Sequence, residues 1–219
     1  MAAIDAELQA LKDNLIDMLD LVRNQLVKCK KVIGKRTTSL AEEVVADEKR
    51  VNRQELTIDR DCENILALHN PVATDLRFVL STLRITNELE RIGDNASKLA
   101  GFMLDHADTI PGKWLEKFNI EAMLEILTDM LQDMGKALRK QDPKIAVQTT
   151  KNDEQLNKYF KKAFRITSSL LADNPTHSRN ILMLFTITRD LERAGDRTKN
   201  IAEEIVFHIE ARVIKHSKG

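Results

Sequence analysis

Apolar residues recur every three or four positions over long stretches of this chain, which is the spacing of one face of an α-helix. The first stretch runs from Leu8 to Ile33. Ser39 and Glu42 have the spacing of a capping box, so they predict the start of a second helix that continues to about Leu68. The pattern therefore indicates long amphipathic helices joined by short turns.

Three further helix starts are marked by an asparagine or aspartate followed directly by proline, a pair that suits the N-cap and first turn of a helix. These pairs are Asn70-Pro71, Asp142-Pro143 and Asn174-Pro175. They predict a third, a fifth and a sixth helix, and the apolar stretch from Leu115 to Leu138 predicts the fourth. The connection at residues 106–113 contains a Pro-Gly pair and is the predicted domain boundary. The tail from His216 is expected to be frayed.

A sequence repeat divides the chain in two. The run LRITNELERIGDNASKLA at residues 83–100 and the run FTITRDLERAGDRTKNIA at residues 185–202 share the core I-T-x-x-L-E-R-x-G-D. A repeat of this kind indicates two copies of one supersecondary unit, and long helices joined by short turns are antiparallel neighbours. We therefore predict an all-α fold of two tandem, similar three-helix up-down-up bundles, residues 1–108 and 113–216, with six long helices.

Composition agrees with this fold and excludes some classes of function. Charged residues make up 31% of the chain and aromatic residues 4%, as is typical of long helices. Lys+Arg and Asp+Glu are equal at 34 each, so we expect no nucleic-acid partner. Cys29 and Cys62 fall in apolar helical positions and are predicted to be reduced core thiols. The N-terminal segment resembles neither a signal peptide nor a membrane span, so a cytoplasmic protein is expected.

Carboxylates interrupt the apolar faces of the second and third helices. On the second helix, the polar residues at helical spacing are Glu48, Asn52, Glu55 and Asp59. On the third helix, the stripe Leu76, Leu80, Leu83 continues into Asn87, Glu90 and Asp94. Because these helices are predicted to be antiparallel neighbours, the acidic stretches should face each other. A half-buried carboxylate without a partner is strongly destabilising, so this cluster requires neutralisation.

Basic partners, raised pKa values or a cation would each neutralise the cluster. The nearby basic residues in the sequence are Arg84, Arg91, Lys98 and Arg193. The carboxylates offer hard oxygen donors, which suit Mg²⁺, Mn²⁺, Ca²⁺ or Fe ions. Repetition of the acids at Glu192 and Asp196 favours metal binding, with an ion-pair network as the main alternative. Close approach of helices beside the acids would explain the mid-helix glycines Gly93 and Gly195.

The sequence contains no convincing catalytic constellation, so we predict that the protein is not an enzyme. No histidine lies three or four residues from these acids, which excludes a ferritin-like di-iron bundle. No Walker loop, nucleophile elbow or zinc spacing is present. Two alternatives to a metal-binding regulator stay open: a metal-dependent phosphoester hydrolase, and a metal-free helical scaffold.

The third helix carries a family resemblance. The run HNPVATDLRFVLSTLRITNELERIGDNASKLA, with its second copy TRDLERAGDRTKNIAEEIVF, resembles the signature of the PhoU family over nearly the whole chain. The resemblance implies a homodimer with multinuclear metal sites that is a negative regulator of the phosphate-starvation response and of phosphate uptake. It also implies contact with the histidine kinase PhoR and with PstB, the ATPase of the Pst phosphate transporter. These partners alone would hold the protein at the inner membrane.

The same resemblance assigns candidate metal ligands, with Mg, Mn or Fe as the implied ion. The residues that match the first site are Glu55, Asp59, Glu90 and Asp94, with Glu48 and Asn52 beside them. The residues that match the second site are Asp190, Glu192 and Asp196, with Asp153 and Asn157 in place of Glu48 and Asn52. Phe160 and Phe164 stand where a second acidic pair would be useful. The second site is therefore predicted to be poorer in ligands.

Overall fold

The structure is a computed structural model that describes residues 2–150 and 153–213. These residues form eight α-helices and contain no β-strand. The helices are α1 (Ala2–Lys35), α2 (Thr38–His69), α3 (Ala73–His106), α4 (Gly112–Lys117), α5 (Ile120–Lys140), α6 (Pro143–Thr149), α7 (Asp153–Asp173) and α8 (Ser178–Glu210). A 3-10 turn, Pro175–His177, precedes α8. The all-α prediction is confirmed, and the tail from His216 lies outside the described residues.

Two bundle-like units follow one another along the chain, as the repeat predicts. In the first unit α1, α2 and α3 contact one another, and in the second α8 contacts α5, α6 and α7. The units pack side by side through α1 against α5 and α3 against α8. One continuous hydrophobic core joins them. The exact division at residues 108 and 113 therefore stays a prediction. None of the helices in the described ranges combines the length and apolarity needed to cross a bilayer.

The helix starts differ from the predicted ones in three places. Asn174 and Pro175 begin the 3-10 turn, and the N-cap of α8 is His177. The N-cap of α2 is Thr37, which forms no side-chain cap bond, so the predicted capping box is wrong and Ser39 lies within the first turn. Asn70 ends α2 in the left-handed conformation, with φ 46° and ψ 55°, and does not start α3. Asparagine tolerates this conformation better than most residues. Asp142 is confirmed as an N-cap, because its side chain accepts a hydrogen bond of 3.0 Å from the Lys144 amide.

The second unit has two breaks that the sequence pattern does not predict. The predicted fourth helix is divided into α4 and α5 at Asn119, which has a φ of 56°. Phe118 and Ile120 on either side are both buried. Because the chain turns at Asn119, both of these apolar side chains reach the core. The predicted fifth helix is likewise divided, into α6 and α7.

Candidate functional site

The first acidic cluster lies along the groove between α2 and α3. The two helices are antiparallel, since Cys62 Sγ approaches the Val79 carbonyl at one end and Ser97 Oγ donates to Glu48 at 2.6 Å towards the other. All the candidate ligands of this cluster are half-buried: Glu48, Asn52, Glu55, Asp59, Glu90 and Asp94. The sequence therefore predicts correctly that these acids line the contact between the two helices.

The predicted buried face of α3 is wrong. The face that packs on the core is rotated about the helix axis from the predicted one. Leu80 is 37% exposed, and Asn87 is exposed as well. The core-facing stripe instead contains Val79, Ile85 and Leu89, together with other residues at the same spacing. The acids consequently lie at the edge of the buried face, where water reaches them partly. Apolar residues occur on both faces of the first half of α3, so their spacing does not identify the buried face.

Like charges in the first cluster disfavour ionisation of its members. Burial raises the pKa of Glu55, and the carboxylates of Glu90 and Asp59 raise it further. Burial also raises the pKa of Glu90, with additional repulsion from Asp94. The Arg91 guanidinium, whose Nε lies 3.4 Å from a Glu90 oxygen, opposes both shifts but does not cancel them. Negative charge is therefore in excess in the groove.

Basic side chains account for only part of the neutralisation. Arg91 is paired with Glu90, but Arg84 binds the buried Glu204 of α8 at 3.1 Å instead. Lys98 forms no ion pair within residues 2–150 and 153–213. The Oδ1 atom of Asn52 is buried and has no hydrogen-bond partner among the described residues. An ion-pair network alone therefore leaves acceptors in this groove unsatisfied.

The second cluster brings Asp153, Asn157, Glu192 and Asp196 together between α7 and α8. Asp153 is only 6% exposed, and its Oδ2 accepts a hydrogen bond of 3.1 Å from Asn157. Its Oδ1 is buried without a partner in the described part of the chain. Burial raises the pKa of both Asp153 and Glu192, and the Asp196 carboxylate raises each further. The main feature of this site is the buried carboxyl group of Asp153, one oxygen of which has no hydrogen-bond partner among the described residues.

Gly195 allows the close approach that forms the second cluster. A Cβ atom at this position would lie 2.4 Å from Leu156 Cδ1 and 2.8 Å from Asp153 Oδ1. Gly93, the equivalent residue of the first unit, has more space, because its nearest neighbour would be Gln25 Oε1 at 3.1 Å. Close helix approach therefore explains Gly195 fully.

Asp190 does not join the second cluster. Its carboxylate lies 3.3 Å from Arg189, and its carbonyl accepts a hydrogen bond of 3.1 Å from Asn95 of α3. Asp190 lies two positions before Glu192, a step that turns an α-helix by more than half a circle. Asp190 therefore belongs to the contact between the two units and is a poor candidate ligand.

The contact between α3 and α8 contains polar residues that the sequence reasoning missed. Glu88 accepts hydrogen bonds from Arg197 at 2.7 Å and from Asn200 at 2.8 Å. Glu88 and Asp190 occupy the same position in the two copies of the repeat, as do Asn95 and Arg197. Glu88 contacts Arg197, and Asp190 contacts Asn95, so the two copies are related by an approximate two-fold axis. The sequence signal that could have revealed this contact is the occurrence of polar residues at the same positions in both copies of the repeat.

Two aromatic residues replace the second acidic pair, as the sequence predicts. Phe160 packs against Phe185 of α8 with ring centroids 5.7 Å apart, and Phe164 is 68% exposed. The second cluster therefore has fewer carboxylates than the first. The two cysteines are also confirmed as free and buried. Burial raises the pKa of each thiol to about 12, so both are protonated at neutral pH in the metal-free protein.

A sequence model of the PhoU domain matches residues 15–103 and 120–205, one match in each unit. The chain belongs to the PhoU family. Its similarity to a Deinococcus radiodurans protein named "Phosphate-specific transport system accessory protein PhoU homolog" is 31% identity over 208 residues, which is 94% of this chain and 96% of that protein. The Escherichia coli protein named "Phosphate-specific transport system accessory protein PhoU" is 27% identical over 98% of this chain and 88% of its own length.

Solved structures of PhoU family members have the same fold. The crystal structure of PhoU from Pseudomonas aeruginosa matches with a TM-score of 0.85 and 26% identity, over 95% of this chain and 99% of that one. The regulatory protein PhoU from Streptococcus pneumoniae matches with a TM-score of 0.81 and 23% identity, over 96% of this chain and 99% of that one. The two-unit arrangement is therefore shared by the family.

The donor types of both clusters fit a hard cation, although their positions are not those of a finished site. Carboxylate and amide oxygens are the preferred ligands of Mg²⁺ and Mn²⁺. Within the described residues, however, no three His, Cys, Asp or Glu side chains are close enough to hold one ion together as they stand. Ion binding in either groove would therefore require side-chain rotation.

We expect Glu90→Gln to stabilise the metal-free protein at about pH 7, and this advantage to shrink towards about pH 5. Glutamine resembles the protonated carboxyl, which repels neither Glu55 nor Asp94. Because the folded-state pKa of Glu90 is raised, the folded state binds more protons than the unfolded state just above the usual carboxyl pKa, and stability falls as pH rises through that window. Urea unfolding with a chelator measures the difference at each pH.

Comparing variant with parent cancels an opposing contribution from His208. Burial lowers the pKa of His208 to about 4, so this residue makes stability rise with pH above that value. Both proteins contain His208, and the exposed Glu42→Gln serves as the control variant. A Glu90→Gln protein that is less stable than its parent at neutral pH would contradict the prediction.

Proposed function

We propose that this chain is a regulatory adaptor that acts as a negative regulator of the phosphate-starvation response and of phosphate uptake. The observation that carries the proposal is the match of both units to the PhoU domain. Relatives similar over nearly the whole chain are named as accessory proteins of the phosphate-specific transport system. An accessory protein of a transport system is expected to act by association with that system. The proposed activity is therefore binding rather than catalysis.

The proposed partners are a PstB-like transporter ATPase and a PhoR-like sensor histidine kinase. In this proposal the protein is a cytoplasmic homodimer, and contact with these partners places it beside the inner membrane. Nucleic acid is not among the proposed partners. Hydrolysis of a phosphoester by the purified protein, abolished by Glu90→Ala, would support the rival hydrolase function and contradict this one.

Metal ions have a structural role in the proposal. The residues that would hold Mg, Mn or Fe in the first site are Glu55, Asp59, Glu90 and Asp94, with Glu48 and Asn52 beside them. In the second site they are Asp153, Asn157, Glu192 and Asp196. A bound cation supplies the positive charge that both grooves lack. With that charge present, α2 and α3 are expected to stay closely paired, so that the surface offered to partners is rigid.

Co-purification tests the adaptor function. A tagged copy of the chain, expressed in its own host, is expected to recover the transporter ATPase and the sensor kinase from detergent-solubilised membranes. Because the proposed regulation depends on phosphate supply, recovery should differ between phosphate-replete and phosphate-starved cells. Mass spectrometry of the eluate measures both partners, with a tag-only strain as the control. Recovery of neither partner under either condition would contradict the adaptor role.

A further inference from the structure

The outer part of the second unit is strongly basic, although the whole chain carries no net charge. Within residues 155–189, which cover most of α7, the following turn and the start of α8, Asp173 is the only acidic residue, and Glu154 directly precedes them. They contain six Lys and Arg residues: Lys158, Lys161, Lys162, Arg165, Arg179 and Arg189. The balanced total therefore conceals a local excess of positive charge.

Four of these basic residues form one face of α7. Lys158, Lys161, Lys162 and Arg165 are three or four positions apart and exposed; we call them the basic face. The basic face is opposite the buried side of α7, on which Leu156 lies. None of the four forms an ion pair with any described residue. Their charge is thus available to an external anion.

The position of α7 turns the basic face away from the molecule. α7 packs almost entirely on α8 and has only slight contact with α5. It is therefore an outer helix whose free side is convex. A peptide partner usually binds in a groove or along a sheet edge, whereas a convex helix side suits a flat surface.

Exposed apolar side chains lie beside the basic face. Phe164 is 68% exposed and follows Lys161 by three residues, and Leu182 of α8 is 50% exposed. Phe160 and Phe185, one turn from Phe164 and Leu182 respectively, have ring centroids 5.7 Å apart. The ring contact places Phe164 and Leu182 on the same side of the α7–α8 pair. Exposed aromatic residues beside a row of cations are typical of helices that bind at a membrane interface.

We propose that the basic face, with Phe164 and Leu182, binds the surface of an anionic phospholipid membrane directly. Anionic headgroups would contact the lysines and Arg165, and Phe164 would insert between the headgroups. Each basic residue near such a surface contributes to binding, and four together form an effective cluster. The Asp153 carboxylate of the second cluster does not oppose this contact, because Asp153 lies on the buried side of α7, opposite the basic face. This inference does not depend on the proposed kinase or ATPase, since it requires no protein partner.

Vesicle sedimentation with the purified full chain tests the proposal. The probes are vesicles of phosphatidylcholine alone and vesicles of phosphatidylcholine mixed with phosphatidylglycerol. We expect binding to the mixed vesicles only, and weaker binding at high salt, because screening reduces the attraction. Equal binding to both vesicles, or no binding to the anionic ones, would overturn the proposal.

Surface variants locate the contact. Lys161→Gln with Lys162→Gln should weaken binding about 30-fold, the loss of two basic residues near an anionic surface. Phe164→Ser should weaken it about tenfold by removing the inserted ring. The matched controls are Lys113→Gln with Lys117→Gln on α4, and Leu68→Ser on α2, where the leucine is 72% exposed.

The control variants, together with soluble polyglutamate as a second ligand, decide whether a membrane or an acidic protein binds the basic face. Controls that bind as the parent does, with losses confined to the α7 variants, support the basic face. Equal losses in controls and α7 variants would overturn it. Binding of soluble polyglutamate without any vesicle binding would assign the face to an acidic protein partner and also overturn the lipid proposal. Unchanged thermal unfolding of each variant excludes misfolding as the cause.

Discussion

Replacing Glu55 and Asp94 together by alanine is expected to remove the metal from the first cluster. Glu55 is a proposed ligand on α2 and Asp94 is one on α3, so the double variant loses one ligand on each side of the groove. Loss of a residue that only hydrogen-bonds to a metal ligand weakens metal affinity by about 10- to 100-fold. Loss of two direct ligands should weaken it by more than about 100-fold. Elemental analysis of protein equilibrated with Mn²⁺ measures the change.

The same variant should respond differently to added metal in thermal unfolding. A ligand that binds only the folded state stabilises it in proportion to the logarithm of its concentration. The parent is therefore expected to melt at a higher temperature with Mn²⁺, and the double variant to lose the part of this shift due to the first cluster. Without metal, the variant should be more stable than the parent, because Glu90 and Asp59 lose a like-charged neighbour.

Two controls make the result specific to the first cluster. Glu42→Ala with Asp108→Ala removes two exposed acids elsewhere and should leave the bound metal unchanged. Asp153→Ala affects only the second cluster and should leave the first occupied. An unchanged metal content in the Glu55 and Asp94 double variant would reject the ligand assignment, even if the protein remains a PhoU family member.

Gly195→Ala is expected to destabilise the protein by about 2 to 3 kcal/mol. The added methyl would lie 2.4 Å from Leu156 Cδ1 and 2.8 Å from Asp153 Oδ1. Leu156 is fully buried, so it has little room to move and α7 must shift away from α8. Urea unfolding gives the change in free energy. Loss of metal from the second cluster is expected to accompany it, because the shift separates Asp153 from Asp196.

Gly101→Ala is the matched control for this prediction. Gly101 also lies within a long helix, α3, but a methyl there would have no neighbour within 4 Å. Alanine is the better helix former, so this variant should be more stable than the parent by up to about 1 kcal/mol. Equal stability of the two alanine variants would show that the space around Gly195 adapts freely.

The two units have diverged around the same framework. The first unit retains an acidic pair on α2, at Glu55 and Asp59, where the second unit has Phe160 and Phe164 on α7. The acidic groove of the first unit has the donor types that suit a cation, while the aromatic side of α7 with its basic neighbours suits an anionic surface. The same position in the two copies of the bundle thus carries side chains of different chemistry.

The sequence by itself determined the all-α class and the two repeated units, and it predicted the members of both acidic clusters, although it added Asp190 to the second. These features depend on local spacing: apolar residues three or four apart form one helix face, and the repeat places Glu90 and Glu192 in equivalent surroundings. For the same reason, Phe160 and Phe164 could be recognised as occupying the positions that the acidic pair Glu55 and Asp59 has in the first unit. Each such inference compares positions within one helix or between the two copies.

Only the tertiary structure decided which face of α3 is buried, where α4 and α5 separate, and that Asp190 leaves the second cluster for the contact with α3. Each depends on which distant helix lies alongside. Leu80 and Val79 are both hydrophobic enough for the core, but of the two only Val79 is buried by the neighbouring helices. The chain turns at Asn119, and this turn lets the apolar residues on both sides of it reach the core. Burial is a property of neighbouring helices, and the spacing within one helix does not contain it.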